Sequence, residues 1–265
     1  MSALIPTSLP LYRHVKRLLI EDMAKGEWSA GVALPAEAKL AERFNVSIGT
    51  VRKAIDELVA EHAVVRQQGR GTFVATHNKS RLLFHFFHIV SRSGEKQYPE
   101  TKILTFRRGR AEPDEAKKLQ IGNHEPVYRI RNLLYLQERP AIVDDLVLPR
   151  RLFPDLSERI LGDRENTIYH LYQTRYGINV LRTSEKLRAT FPPKDVRALL
   201  GLRKTTTPLL EIDRVALSYN DAPVELRRSL VNTERHEYFA DIHKEAWGGA
   251  TVVVGNAVRD RTRGF

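Results

Sequence analysis

The order of elements predicted for the first 80 residues constrains the fold more than any other feature of the chain. Apolar residues at helical spacing predict an amphipathic helix over residues 11–25. A second, short helix is predicted to begin near Pro35 and Glu37. Ser47 is a favourable N-cap for a third helix. Three short amphipathic helices in this order predict a small helical domain.

A short hairpin is predicted to follow the third helix. Ala63–Gln67 and Thr72–Thr76 have the composition of strands, and Gly69 and Gly71 flank Arg70 in the turn between them. A phosphate-binding glycine loop would open a helix, whereas here a second strand follows. The hairpin therefore either presents Arg70 to DNA or is an ordinary turn with a solvated arginine.

The exposed face of the third helix is small, polar and basic in its first turns and acidic in its last turns. This arrangement suits a helix whose N-terminus enters the major groove, because small residues permit close approach. A solvated helix face is the alternative, although acidic residues then usually favour the first turn. The candidate DNA-binding residues are Ser47, Gly49, Thr50, Arg52, Lys53, Gln68, Gly69 and Arg70.

Residues 11–74 resemble the GntR family of bacterial transcription factors. The resemblance rests on "LPAE", "LAERFNVS", "TVRKAIDEL" and "GRGTFV", which occur in the order and spacing of that family. It implies a winged helix-turn-helix domain that binds a short palindrome in double-stranded DNA; in the HutC subfamily such sites often carry a GT…AC core around A/T pairs. Two positions depart from the family, since Ala38 and Ile48 stand where it usually has arginine.

The second part of the chain contains an internal repeat. Residues 125–149 parallel residues 207–231, and each segment contains two strand candidates joined by a turn that ends in proline. A short helix precedes each pair, over 113–121 and 193–202, and another strand candidate precedes each helix. Two β-α-β-β halves that form one antiparallel sheet are the simplest interpretation.

Residues 83–240 resemble the UTRA domain of the HutC subfamily of GntR regulators. The motifs are "RIR", "TIYHLYQTRYGI" and "APVE". The resemblance implies an α+β fold related to chorismate lyase, a pocket for a small effector, and homodimerisation. The candidate effector-binding residues are Arg129, Arg131, Asp144, Thr167, Glu225, His85 and His88.

We expect a small anionic effector, and we favour a carboxylic acid over a sugar phosphate. Arg129 and Arg131 share one face of a strand, and two guanidinium groups could clamp one anionic head. Val231 stands where family members that recognise amino-sugar phosphates have an aromatic residue. A solvated arginine pair is the alternative. His85 and His88 would lie on opposite faces of a strand, with no third metal ligand nearby in the sequence.

The predicted boundaries are a DNA-binding domain over residues 1–76, a linker over 77–82, an effector and dimerisation domain over 83–245, and a flexible tail over 246–265. The net charge of +11 favours an anionic partner. It is not concentrated at the N-terminus, because residues 1–78 carry 10 basic and 8 acidic side chains and residues 79–245 carry 30 and 23.

The chain contains no cysteine, which excludes disulfides and thiolate metal sites. No apolar stretch is long enough to span a bilayer, so we expect a cytoplasmic protein without a metal or cofactor. The interpretation is a ligand-responsive repressor. A chorismate-lyase-like enzyme and an effector-independent DNA-binding protein are the alternatives, although no nucleophile–base pair stands out.

Overall fold

The computed structural model describes residues 10–240, which form two units. The N-terminal unit contains three helices and a hairpin. Its elements are α1 (Leu11–Ala24), α2 (Glu37–Phe44), α3 (Ile48–Ala60), β1 (Val64–Gln67) and β2 (Gly71–Val74). The winged helix-turn-helix prediction is confirmed. The predicted tail over residues 246–265 lies outside the described residues.

One apolar core holds the N-terminal unit together. Leu19 of α1, Leu40 of α2, and Val51 and Leu58 of α3 are fully buried in it. Each such burial stabilises the fold by about 1.5–3 kcal/mol relative to an exposed side chain. The inward face of α3 is therefore committed to packing, and its other face remains available to solvent.

The C-terminal unit is built around a six-stranded antiparallel sheet. Its strands are β4 (Glu100–Arg110), β5 (Pro126–Leu136), β6 (Arg139–Pro149), β7 (Arg182–Thr190), β8 (Leu209–Leu217) and β9 (Pro223–Asn232), and their order in the sheet is β4-β5-β6-β9-β8-β7. Its longer helices are α5 (Pro113–Leu119), α6 (Glu158–Gly162), α7 (Ile168–Tyr176) and α8 (Lys194–Leu199). The last strands of the two predicted halves, β6 and β9, pair at the centre. The internal repeat and the antiparallel sheet are therefore confirmed.

The two faces of this sheet have different coverings. On the face that we call the α7 face, Tyr128 and Leu146 pack with Tyr169 and Tyr172 of α7. On the face that we call the α5/α8 face, α5 covers one end through Leu119, and α8 and its C-cap cover the other end through Val196 and Leu200. Neighbouring residues of one strand thus face different surroundings.

The segment between the two units differs from its prediction. A short helix, α4 (Lys79–Arg81), is followed by a π-helix over Leu82–Phe86, in which Phe87 N donates to Leu82 O at 2.8 Å. The predicted strand that contained both His85 and His88 is therefore wrong. Phe86 and Phe87 are buried in two different apolar clusters, which is a placement that the wider turn permits. The strand β3 begins later and covers Ile89–Ser91, where it pairs with β10 (His236–Tyr238).

Candidate functional site

The N-terminus of α3 is capped and exposed. Ser47 Oγ accepts a hydrogen bond from Thr50 N at 3.2 Å and lies 2.9 Å from Thr50 Oγ1. Ile48 and Gly49 are exposed, and a Cβ added at Gly49 would meet only Ser47 Oγ, at 3.8 Å. The first turn therefore offers backbone, hydroxyl and methyl groups to a close partner.

Arg52 and Lys53 differ in their orientation on α3. The Arg52 side chain is 61% exposed, and its Nε donates to Glu37 Oε2 of α2 at 2.9 Å. Lys53 Nζ instead lies 4.2 Å from the centroid of the Tyr12 ring of α1. Both cations at the start of α3 are exposed, Arg52 against a carboxylate of α2 and Lys53 against an aromatic ring of α1.

The hairpin turn projects Gln68, Gly69 and Arg70 into solvent. Gly69 and Gly71 have φ values of +72° and +113°, which strain other residues, so the glycines permit this turn. The Arg70 guanidinium lies 5.9 Å from the Phe73 ring centroid. All eight candidate DNA-binding residues thus lie in the first turns of α3 or at the hairpin tip.

The candidate effector-binding residues do not line one pocket. Asn132, not Arg131, pairs with Asp144 across β5 and β6, so Arg131 and Asp144 lie on opposite faces of the sheet. Arg129 is on the α5/α8 face with Arg131, whereas Glu225 contacts α7. The expectation that the arginines and carboxylates surround one ligand is therefore wrong.

Both predicted arginines already have carboxylate partners. Arg129 makes hydrogen bonds of 2.7 Å to both oxygens of Glu115, and Arg131 contacts both oxygens of Asp145 at 2.6 and 2.8 Å.

A row of side chains of alternating charge crosses five strands in register on the α5/α8 face, and its members are Arg131, Asp145, Arg228, Asp213 and Lys186. The row borders a groove of about 520 Å³ on the α5/α8 face. Cross-strand pairs of opposite charge stabilise a sheet, so Arg131 has a structural role here.

A buried ionic network lies on the α7 face. Arg227 Nε donates to Glu225 Oε1 at 3.0 Å, and its Nη1 donates to Asp144 Oδ2 at 3.2 Å. Glu225 also accepts hydrogen bonds from Tyr172 Oη at 2.7 Å and Tyr169 Oη at 3.3 Å. Burial raises the pKa of Asp144, and the nearby Arg227 opposes that shift. Glu225 positions Arg227 against Asp144.

A small cavity of about 50 Å³ adjoins this network. Its polar lining includes Asn132, Asp144, Arg164, Arg214 and Arg227. Asn132 Oδ1 and Asp144 Oδ1 are buried and have no hydrogen-bond partner among residues 10–240. An unsatisfied buried acceptor costs about 1–3 kcal/mol, so these atoms favour a polar ligand or water in the cavity.

Thr167 and the two histidines do not line this cavity. Thr167 Oγ1 accepts from His170 N at 3.0 Å and caps α7, while its neighbour Ile168 reaches the cavity. The His85 ring lies 4.2 Å from the His62 ring, next to the N-terminal unit, and the His88 ring lies 5.2 Å from Tyr238. Burial lowers the pKa of His85 to about 4.

Helix α7 also holds the segment that joins the two units. Gln173 Nε2 donates to Ala75 O at 2.8 Å, and His77 N donates to Gln173 Oε1 at 2.9 Å. His170 Nδ1 contacts His77 O at 2.7 Å, and the His77 ring bonds Asn179 Oδ1 at 2.8 Å. Burial lowers the pKa of His77 to about 3, so this ring is neutral. One helix thus reaches both the cavity and residues 75–77.

Sequence reasoning missed Asn132, Arg164, Arg214 and Arg227. Arg227 lies two residues from Glu225 and must share its face, which is a signal that strand periodicity offers. Asn132 and Arg214 carry no comparable signal, because their burial depends on the packing of α7.

Within residues 10–240, no group of three or more His, Asp or Glu side chains could hold a metal ion, and no helix there is long and apolar enough to cross a membrane.

Comparison with known proteins gives two family matches. Residues 11–74 match the bacterial regulatory proteins of the gntR family, and residues 94–237 match the UTRA domain. A fructoselysine utilization operon transcriptional repressor of Escherichia coli, whose name carries the word "probable", is 31% identical over 234 residues, which cover 85% of this chain and 91% of the relative. The mannosyl-D-glycerate transport/metabolism system repressor of the same species is 28% identical over 86% of this chain and 94% of its own length.

A solved structure agrees with these matches. The crystal structure of PhnF from Mycobacterium smegmatis aligns with a TM-score of 0.52 and 26% sequence identity. The alignment covers 86% of this chain and 99% of that chain. Because relatives over most of the length are named as repressors, the enzyme alternative is excluded.

Proposed function

The chain belongs to the GntR family of bacterial regulatory proteins and is a transcriptional repressor of its UTRA-containing HutC subfamily. We propose that a small anionic effector controls the affinity of this repressor for a palindromic operator. In this proposal a cytoplasmic homodimer places two copies of α3 in successive major grooves. The first turns of α3 bury Val51 and Ala54 in the core and leave Ile48, Gly49, Arg52 and Lys53 exposed. This exposed face is the observation that carries the DNA-binding part.

We place the effector site at the cavity on the α7 face. The cavity combines three guanidinium groups, on Arg164, Arg214 and Arg227, with two unsatisfied acceptors, on Asn132 and Asp144. The cations suit an anionic group, and the acceptors suit hydroxyl or amine donors. The larger groove on the opposite face is less suitable, since none of the buried polar atoms without a hydrogen-bond partner among residues 10–240 belongs to its lining.

The proposed ligand is a hydroxylated carboxylic acid, which we rank ahead of a sugar phosphate. Two relatives are named for fructoselysine and mannosyl-D-glycerate, and each of these compounds joins a sugar to a carboxylate. The cavity of about 50 Å³ is too small for either compound. Binding therefore requires the segments that cover the cavity to move, among them the loop that contains Tyr98 and Pro99.

Helix α7 is the proposed connection between effector and DNA. Ile168 borders the cavity, Tyr169 and Tyr172 hold Glu225, and Gln173 holds Ala75 and His77 at the end of the DNA-binding unit. An effector that binds one position of α7 better than another would shift the orientation of the DNA-binding units.

A gel-shift experiment tests the whole proposal. The full chain should shift DNA from the intergenic region upstream of its own gene, and footprinting should reveal a palindrome. One organic acid from a thermal-shift screen should raise the melting temperature and release that DNA. Sequence-independent binding that no compound alters would support the effector-independent alternative.

Two variants distinguish the two faces of the sheet. Asp144→Asn should abolish the thermal shift caused by the effector, whereas Arg129→Ala with Arg131→Ala should preserve it. The opposite result would return the effector to the groove on the α5/α8 face. The proposal of an anionic effector would be refuted by a neutral ligand that releases the operator and stabilises the wild type and the Arg129→Ala/Arg131→Ala variant equally.

A further inference from the structure

Ile48, the first residue of α3, is a large apolar side chain that folding leaves exposed. It is 46% exposed and contributes nothing to the core of the N-terminal unit. It also has a β-branched side chain, which gives no advantage in helix propensity. Packing therefore does not explain an isoleucine here.

The surroundings of Ile48 favour a contact with a nucleobase. Its neighbours Ser47, Gly49 and Thr50 carry no charge, and the open space beside Gly49 permits close approach of the backbone. Arg52 lies one turn further along the helix on the same side as Ile48. If Arg52 is near DNA, as the proposed function requires, Ile48 is directed at the same groove.

The major groove presents one apolar group, the C5-methyl of thymine. An isoleucine in this position has no hydrogen-bond donor for guanine and no acceptor for cytosine or adenine amino groups. We propose that Ile48 recognises a thymine methyl group in each half-site and so sets part of the operator sequence. This inference rests on the proposed function and adds the chemistry of one contacted base pair.

Replacement of thymine by uracil in the operator tests the contact, because it removes only the methyl group. Each thymine of the footprinted palindrome is replaced symmetrically, and full-length wild type is titrated against every duplex. At one symmetric position uracil should weaken binding by about 10- to 20-fold, as expected for the loss of one desolvated methyl contact in each of the two half-sites. At that position Ile48→Ala should bind the thymine and uracil duplexes equally.

Leu11→Ala is the matched control, since Leu11 is also 46% exposed and lies at the start of α1. This variant should keep the full sensitivity of wild type to uracil. Ile48→Arg should prefer a G·C pair at the sensitive position, because arginine bonds guanine O6 and N7.

The outcomes separate this inference from the proposed function. If wild type binds the palindrome and uracil is neutral at every position, Ile48 reads no methyl group, although the protein remains a specific DNA-binding regulator. The inference also fails if Ile48→Ala retains the sensitivity to uracil. Absence of specific binding by wild type would refute the proposed function, and the inference with it.

Discussion

Arg52 in the DNA-binding unit and Arg227 in the effector unit are both paired with carboxylates, but they have opposite surroundings. The Arg52 side chain is 61% exposed and makes one ion pair, with Glu37. The Arg227 side chain is 14% exposed and bridges the buried carboxylates of Asp144 and Glu225. Exposed pairs contribute little to folding, whereas removal of one member of a buried pair leaves an uncompensated charge. Arg52 is therefore free to exchange its partner for DNA, and Arg227 is fixed.

The largest effect that this comparison predicts is on stability. Arg227→Ala should lower the free energy of unfolding by about 3–5 kcal/mol, because Asp144 and Glu225 would lose their shared cation. Urea unfolding of the full chain measures this. The neighbouring Arg228 is the control, since it faces the other side of the sheet and its partner Glu211 also binds Arg188. Arg228→Ala should cost less than about 1 kcal/mol; equal losses would contradict the comparison.

The segment between the two units should be sensitive to acid. The pKa of His77 is lowered by burial to about 3, from an ordinary value of 6.5. The unfolded chain therefore binds this proton at higher pH than the folded chain, and stability is lost as the pH falls below 6.5. Between pH 6.5 and pH 5 the loss due to His77 should approach about 2 kcal/mol.

Unfolding at several pH values in wild type and His77→Gln isolates this contribution. The variant should show a shallower dependence on pH in that range. Replacement of the exposed His124 by glutamine serves as the control and should leave the wild-type dependence unchanged. Parallel curves for wild type and His77→Gln would mean that the buried ring does not couple folding to protons.

The exposed arginine should show the reverse pattern, with a change in DNA binding and little change in folding. Arg52→Ala should weaken specific operator binding by about 1–3 kcal/mol. Its free energy of unfolding should change by less than about 1 kcal/mol. Arg17 of α1, whose side chain is 57% exposed and lies near Glu21, is the control. An unchanged operator affinity for Arg52→Ala would show that the exposed face of α3 does not contact DNA.

The smallest effect is expected at the hairpin tip. Arg70→Ala should weaken binding to all sequences similarly, because a tip arginine contacts phosphate or groove shape more than base edges. The slope of log affinity against log salt should become shallower by about one unit. Titrations at several salt concentrations measure the slope. A slope equal to that of wild type would leave Arg70 as a solvated turn residue.

The DNA-binding unit could be predicted closely from the sequence. Val51, Ala54, Ile55 and Leu58 recur at helical spacing and are buried together in the structure. The predicted cap at Ser47 also exists. Helix periodicity, caps and glycine turns are local properties, and this unit is assembled from contacts within residues 11–74 with few additions, such as Tyr219.

The effector unit could be predicted in its architecture but not in its site. The repeat correctly predicted the paired strands, because strand pairing follows from alternation and turns. The sequence predicts a strand that contains both histidines of "FHFFH", and the structure has a π-helix over Leu82–Phe86, because an aromatic run does not distinguish a strand from one turn of π-helix. The face that each charged residue occupies depends on contacts between residues far apart in the chain.

Two pairs of adjacent residues show the limit of what the sequence predicts. Asp144 and Asp145 are chemically identical, as are Arg227 and Arg228, and strand alternation requires the members of each pair to face opposite sides. The sequence by itself determined the three helices and the hairpin of the DNA-binding unit and the six paired strands of the effector unit. Only the tertiary structure decided that Asp144 and Arg227 lie on the face covered by α7, with Asp144 fully buried and Arg227 largely so, while Asp145 and Arg228 border the groove on the other face. The physical reason is that burial belongs to the face on which a helix packs, and no property of the residues themselves selects that face.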